Sequence, residues 1–240
     1  IADPMVVGII ARAGYDVVLL DQQHGYHDIA SVQSSIGEAA LAGKPVLVRT
    51  PVGDYATAGR LLDFGAAGVV APMINTAAEA KAFVMQVKYP PVGQRSFGPT
   101  RAMQLAQQAD AAAFVRDAND QTLAIVMIET GQALDSLDDI LAVQGIDGIL
   151  LGPADLSISL TKGGFAPDGP EVSAALDSIL AAAQKHRKLA IAFGGTVERS
   201  RYLLELGFDL VSVGYDTGVL EEAFTALSGA VRSRIGDKTR

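Results

Sequence analysis

No cysteine occurs in the 240 residues, so neither a disulfide framework nor a thiolate metal site is available, and zinc-finger and thiol chemistry drop out. A reducing cytoplasm is the compartment this composition leads one to expect. Basic excess is also lacking: the net charge is −8 and Lys and Arg are scattered, so no face is built for phosphate backbones and nucleic acid is not an expected partner. The chain has no apolar run of about 18 residues and no charged-then-apolar leader, which argues against a membrane span and a signal peptide. Its first residue is Ile1 and not Met, and the expectation is that some chain preceded it.

What is present is a hydrophobic fraction of 49%, enough at this length for one well-filled core and a single α/β domain over residues 1–240. Short β-branched runs alternate with longer helical patterns, without linker, low-complexity segment or internal repeat. Seven strands are predicted: Val17 to Leu20, Val46 to Arg49, Gly68 to Ala71, Leu123 to Glu129, Gly148 to Gly152, Leu189 to Phe193 and Leu210 to Gly214. Between them, Thr76 and Glu79 have capping-box spacing, and Ala80, Phe83, Val84 and Val87 fall on one helical face. A second apolar stripe, Val172, Leu176, Ile179, Leu180 and Ala183, follows Pro170, and Gly65, Gly145 and Gly207 stand where left-handed C-caps favour glycine. Tyr15, Phe83, Phe208 and Phe224 are read as core.

Nearly continuous apolar strands are buried on both faces, which leaves a doubly wound sheet or a barrel. The doubly wound sheet usually carries a Gly-rich first turn, and no G-x-G-x-x-G occurs. The prediction is therefore a (β/α)8 TIM barrel whose first strand lies upstream of Ile1, the visible chain opening on the end of a loop and a helix (Asp3 to Ala13).

In such a barrel the chemistry sits at the C-terminal ends of the strands. The first strand runs into Asp21-Gln22-Gln23-His24-Gly25, the second ends at Arg49, the fourth at Glu129-Thr130 and the fifth at Gly152-Pro153-Ala154-Asp155. Glu129 and Asp155, on consecutive strands, are the predicted metal ligands. Two carboxylates without His or Cys partners are hard oxygen donors suited to Mg²⁺ or Mn²⁺, with Co²⁺ also admissible, and they leave positions for the keto and carboxylate oxygens of a 2-oxo acid. The competing account has Glu129 paired with an Arg and Asp155 merely capping a helix. Backbone N–H groups of Ala154 and Asp155, in a Gly152-Pro153-Ala154-Asp155 turn that starts a helix, suit the substrate carboxylate. Arg49 would stabilise a developing enolate, or else simply neutralise Asp21 or Glu129. His24 follows a buried strand with Asp21 close in sequence and Asp63 able to approach in space. It is a plausible acid/base group near pH 7, although a lone loop histidine is more often structural. His27 and His186 read as exposed, and Phe193 is the aromatic best placed to shape an acceptor pocket.

The stretches LLDQQHG, VLVRTP, GAAGVVAPMI, KYPPVGQRSFGPTRA, VMIET and DGILLGPADLS, in this order, resemble the class II pyruvate aldolases related to 4-hydroxy-2-oxoheptanedioate aldolase and the 2-keto-3-deoxy-sugar-acid aldolases. The resemblance spans nearly the whole chain. It implies a (β/α)8 fold, a divalent metal on Glu129 and Asp155, His24 as acid/base residue, Arg49 as enolate stabiliser, Asp63 raising the basicity of His24 and Asp21 lining the same site. It further implies a pyruvate or hydroxypyruvate donor and an aldehyde as substrates, a place in the breakdown of aromatic compounds, and a hexamer whose C-terminal helices are exchanged between subunits.

Two positions depart from that pattern. Gln23 stands where Glu is frequent, and Met127 replaces a glutamine two residues before the metal Glu, removing a polar contact to substrate. Schiff-base chemistry is disfavoured, because Lys44, Lys81, Lys88, Lys162, Lys185, Lys188 and Lys238 all fall in helices, loops or the tail. Gly194-Gly195-Thr196 and Gly214, where many barrels hold phosphate, are read as room for an acceptor or effector, and Arg95 and Arg101 as loop or subunit contacts. Two alternatives remain: an enolate lyase acting on acyl-CoA thioesters, and a noncatalytic binding barrel.

Overall fold

The computed structural model describes residues 1–236, so Lys238 lies outside the described residues. Helix α1 (Pro4–Ala11) starts on Asp3, whose carboxylate accepts the Met5 N–H, with Pro4 pre-set in the first turn. Then come β1 (Val18–Asp21), α2 (Ile29–Leu41), β2 (Val46–Arg49), α3 (Tyr55–Asp63), β3 (Gly68–Ala71) and α4 (Ala77–Val87). Helices α5 (Thr100–Leu105) and α6 (Ala111–Gln121) precede β4 (Leu123–Ile128), and α7 (Gly131–Asp135) and α8 (Leu137–Leu141) precede β5 (Gly148–Leu151). The chain continues through α9 (Pro153–Leu160), α10 (Pro170–His186), β6 (Leu189–Gly195), α11 (Val197–Leu206), β7 (Leu210–Val213) and α12 (Asp216–Gly236). No helix among the described residues is long and apolar enough to cross a membrane.

All seven predicted strands form, within a residue or two of the expected limits, and all are parallel in the order β1-β2-β3-β4-β5-β6-β7. The predicted closed eight-stranded barrel is not what they build. The sheet is a curled, TIM-like half barrel: among the described residues β1 bonds only to β2 and β7 only to β6. A closed barrel would bury both edges, yet Leu19 on β1 is 37% exposed and Val213 on β7 is 36% exposed. The element ahead of β1 is a helix, α1, so the described residues contain no eighth strand. The sequential order, without a switch point, is the barrel-like part of the expectation that does stand.

Strand side chains alternate between two faces. One set, including Val48, Val69, Val126 and Ile149, packs with Ile36, Leu61, Phe83, Ile140 and Leu176 of the surrounding helices into the main core. The other set, Leu47, Val70, Ile125, Met127, Leu150 and Ile191, forms a smaller cluster on the concave face, made of strand residues alone. Phe83 and Phe208 are core as predicted, at 0% and 3% exposure, but Tyr15 and Phe224 are not, at 41% and 66%. Tyr15 lies in the loop between α1 and β1, and Phe224 sits on α12, among apolar side chains that no further layer of the described residues covers. Gly65, Gly145 and Gly207 all have positive φ, as their C-cap positions require.

The N-terminal ends of the strands are tied by a buried cation. Lys88, 2% exposed just past α4, directs Nζ to the carbonyls of Asn119 (2.7 Å) and Thr122 (2.6 Å) and to Asp147 Oδ2 (2.7 Å). Asp147 Oδ2 also accepts the Ala124 N–H, so a single lysine binds the starts of β4 and β5 to α6. Among the described residues this is the most buried lysine, and it is engaged far from the strands' C-terminal ends. Lys88→Met should cost about 3 kcal/mol, because it strands buried acceptors. Urea unfolding measures this, and a loss below about 1 kcal/mol would contradict the account.

Candidate active site

Strand parity decides which side chains meet. Arg49 lies two residues beyond Leu47, Glu129 two beyond Met127, Gly152 two beyond Leu150 and Phe193 two beyond Ile191, so all project on the concave face at its C-terminal end. Asp21, two beyond Leu19, joins them, and its register partner is Arg49. The polar residues singled out in the sequence thus form a rim above an apolar floor.

Asp21 and Arg49 make a bidentate pair, Nε to Oδ1 at 2.8 Å and Nη2 to Oδ2 at 2.6 Å. The neutralising role considered for Arg49 is therefore real, and it leaves Nη1, which faces Met127 Sδ at 3.9 Å, turned along the concave face. Asp21 Oδ1 also accepts the N–H groups of Gln23 (2.9 Å) and His24 (3.4 Å), folding the loop back on its strand end. Gly25 completes that fold: a Cβ there would stand 2.3 Å from the Asp21 carbonyl oxygen. Burial pushes the Asp21 carboxyl up, but Arg49 and the two backbone N–H groups outweigh it and hold the carboxyl below its ordinary range. His24 is exposed on this loop.

Glu129, the residue after β4, is 1% exposed. Its Oε2 accepts the Met73 N–H at 2.7 Å, and Met73 adopts φ 56° to deliver it. That left-handed conformation costs an L-residue roughly 1–2 kcal/mol. Asp155, in the first turn of α9, comes within hydrogen-bonding reach of Glu129. Burial is the chief cause that raises the Glu129 pKa and Asp155 adds to it, while the Met73 N–H and the charge of Arg49 offset them only in part. Gly152 makes room for this carboxylate, since a Cβ at 152 would meet Glu129 Cγ and Oε1 at 2.7 Å. Pro153 opens α9, and among the described residues no side chain caps that helix start, which leaves Ala154 and Asp155 N–H for an anion.

A buried carboxylate, Glu129, with the exposed Asp155 carboxylate against it, one backbone N–H on the pair and only partial compensation, matches a hard divalent cation. Among the described residues no cluster of three or more His, Cys, Asp and Glu occurs, so the protein would supply two ligands and substrate and water the rest.

Not every expected residue joins this group. Asp63, at the end of α3, has its Oδ1 on Arg95 Nη2 at 2.6 Å, and among the described residues no hydrogen bond links it to His24. Arg95 is 6% exposed and stacks over Tyr89 at 4.7 Å, so its role is to pin the loop after α4. Phe193 stands 39% exposed at the rim, level with Ser212 of β7. Gly194 offers no room for an effector: a Cβ there would lie 2.2 Å from Ser200 Oγ, so it is needed for close packing of α11. His27 bonds Ser31 Oγ at 3.1 Å and His186 bonds Asp138 at 2.8 Å, and neither hydrogen bond is to a residue of the rim. Met73 and Asn75 escaped the sequence reading, because the loop after β3 contributes a backbone N–H and no ionisable side chain. The one available signal was the helix-capping pattern at Thr76 and Glu79.

Residues 1–223 match the family model described as HpcH/HpaI aldolase/citrate lyase. The chain is 36% identical over 230 residues to a hydroxypyruvate/pyruvate aldolase of Pseudomonas aeruginosa, covering 95% of this chain and 85% of that protein. It is 33% identical over 222 residues to a 4-hydroxy-2-oxo-heptane-1,7-dioate aldolase of Escherichia coli, covering 92% and 83%. Among solved structures, the HpcH/HpaI aldolase from Desulfitobacterium hafniense DCB-2 superposes with a TM-score of 0.87 at 28% identity, over 97% of this chain and 89% of that one. A citrate lyase beta subunit from M. tuberculosis, complexed with oxaloacetate and magnesium, is similar in fold alone, with a TM-score of 0.53 at 20% identity over 89% and 87%.

The raised Glu129 pKa has a defined consequence for stability. A group whose folded pKa exceeds its unfolded value stabilises the fold below the ordinary carboxylate range, and that contribution is lost as pH rises through the raised value. Asp21, with its lowered pKa, acts with the opposite sign and loses its contribution as pH falls. In metal-free buffer Glu129→Gln should therefore gain in urea midpoint relative to the unsubstituted protein as pH rises from 4 to about 8. A difference that does not change with pH would contradict the assignment.

Proposed function

Because this chain belongs to the HpcH/HpaI aldolase/citrate lyase family, and is a lyase of the pyruvate-aldolase type, we propose that it joins or cleaves a pyruvate or hydroxypyruvate donor and an aldehyde at the rim built by Asp21, His24, Arg49, Glu129 and Asp155. The observation that carries the proposal is the under-compensated pair of carboxylates, Glu129 and Asp155, on the concave face beside Arg49.

Glu129 and Asp155 would hold a divalent cation, Mg²⁺ or Mn²⁺, with Co²⁺ admissible. When bound, the cation supplies Lewis-acid polarisation of the donor's keto group. The Ala154 and Asp155 N–H groups at the start of α9 bind the donor carboxylate, and Gly152 leaves the room that the Glu129 carboxylate takes beside them. Arg49, fixed through two of its nitrogens by Asp21, donates from Nη1 to the keto oxygen as negative charge develops there. Its pre-formed orientation means that little reorganisation accompanies the loss of the C3 proton. His24 takes or returns that proton from its loop, whose fold Asp21 dictates through the Gln23 and His24 N–H groups. Asp63 enters as the anchor of the loop after α4 through Arg95, and Phe193 as one wall for the aldehyde. Met127, apolar where it faces Arg49, favours acceptors without a second carboxylate.

A homo-oligomer, a hexamer on the resemblance, is part of the proposal, with α12 exchanged between subunits. Leu220, Phe224, Leu227 and Val231 recur at helical spacing on α12 and are 38–66% exposed, a stripe that association would cover.

Exchange of the C3 protons of pyruvate and hydroxypyruvate in heavy water, followed by NMR, tests the reading. Exchange should be absent from metal-stripped enzyme, appear with Mg²⁺ or Mn²⁺ and fall at least about a hundredfold in Glu129→Ala. Absence of exchange with every cation would overturn it.

A further inference from the structure

Glu129 is held by a backbone N–H from a residue in a left-handed conformation, and such a conformation persists only where its surroundings over-determine it. The surroundings converge on one side chain. Asn75 Nδ2 donates to the Met73 carbonyl at 3.0 Å, closing the turn whose N–H reaches Glu129. Asn75 Oδ1 accepts the hydroxyl of Thr130, the residue that follows Glu129. Thr130 Oγ1 in turn accepts the Ala133 N–H at 3.0 Å and so fixes the start of α7. Asn75 is itself clamped, because Glu79 Oε2 accepts both its N–H (2.7 Å) and that of Thr76 (2.9 Å) in the capping box of α4.

Both ends of the Asn75 carboxamide are thus spent on the two backbone segments that hold Glu129: one on the donor of its hydrogen bond, the other on its chain neighbour. Helix capping alone does not require this. The Thr76–Glu79 box caps α4 and the Thr130 hydroxyl caps α7, and neither cap needs the bridge between them. We propose that Asn75 is a positioning residue for the metal-binding carboxylate, cross-linking the loop after β3 to the end of β4 so that Glu129 presents its free oxygen to the cation in one orientation. This inference rests on the reading of Glu129 as a metal ligand. It adds a residue that touches neither substrate nor cation.

The test is Mn²⁺ binding by electron paramagnetic resonance on the full chain, beside the thermal midpoint of the metal-free protein. Asn75→Ala should weaken Mn²⁺ binding about tenfold or more. Its metal-free midpoint should stay within about 8 °C of the unsubstituted protein, the shift of the two hydrogen bonds that its carboxamide makes. Thr130→Ser, which keeps the hydroxyl, should retain the affinity, and Thr130→Val should lose it as Asn75→Ala does. A folded Asn75→Ala with unchanged affinity would overturn the inference. If Asn75→Ala does not fold, equal affinities in Thr130→Val and Thr130→Ser would overturn it, and weaker binding in Thr130→Val would sustain it. Glu129→Gln separates the two levels: Mn²⁺ binding that survives Glu129→Gln overturns the metal reading and the inference with it. Binding lost in Glu129→Gln but intact in Asn75→Ala removes only the role of Asn75.

Discussion

Like charges brought together repel, the more so where one of them is buried, and the buried Glu129 and the exposed Asp155 at the rim are brought together by the fold itself. Register sets Ile128 of β4 beside Leu151 of β5, so the next residues, Glu129 and Gly152, are level, and the turn into α9 returns Asp155 to the same spot. Gly152 has no side chain because Glu129 occupies that space. Met73 accepts an unfavourable backbone conformation to satisfy one oxygen. Each of these features makes local folding harder, and together they fit the proposed role of the pair, a concentration of negative charge that would meet a cation and an oxo acid.

The sheet separates this cost from the sources of stability. At the N-terminal ends of the strands, Lys88 is surrounded by a full set of acceptors, and the helix-covered face carries the main apolar core. At the C-terminal ends the groups are charged and only partly neutralised. Arg49 shows the economy of the arrangement, since two of its nitrogens order Asp21 and the loop carrying His24 while the third remains turned toward the concave face.

Much of this was legible in the chain. Short β-branched runs gave all seven strands, and the last polar residue of each run named Asp21, Arg49, Glu129 and the turn at Asp155, because strand parity carries those side chains to one face. Closure was not legible: whether the first and last strands bond depends on a contact between the two ends of the sheet, which no local pattern records. Asp63 was expected near His24, but the loop after α4 folds back to bring Arg95 onto it, a tertiary event hidden behind a stretch of Pro and Gly. Met73 and Asn75 were invisible for a different reason. Their contribution is a main-chain N–H and the amide that steadies it, and neither has a sequence signature beyond the capping residues beside them. Phe224 was misjudged because hydrophobicity alone does not tell a core position from an exposed one.

The thermal midpoint of Asp155→Asn, with and without Mn²⁺, is the most direct measurement of whether the carboxylate pair exists for a cation. Removing one of two repelling charges should raise the midpoint of the metal-free protein, while Mn²⁺ should raise that of the unsubstituted protein and leave Asp155→Asn unmoved. A metal-free Asp155→Asn that melts lower, together with an unsubstituted protein that Mn²⁺ does not stabilise, would show that the pair is structural and would contradict the metal-centred account.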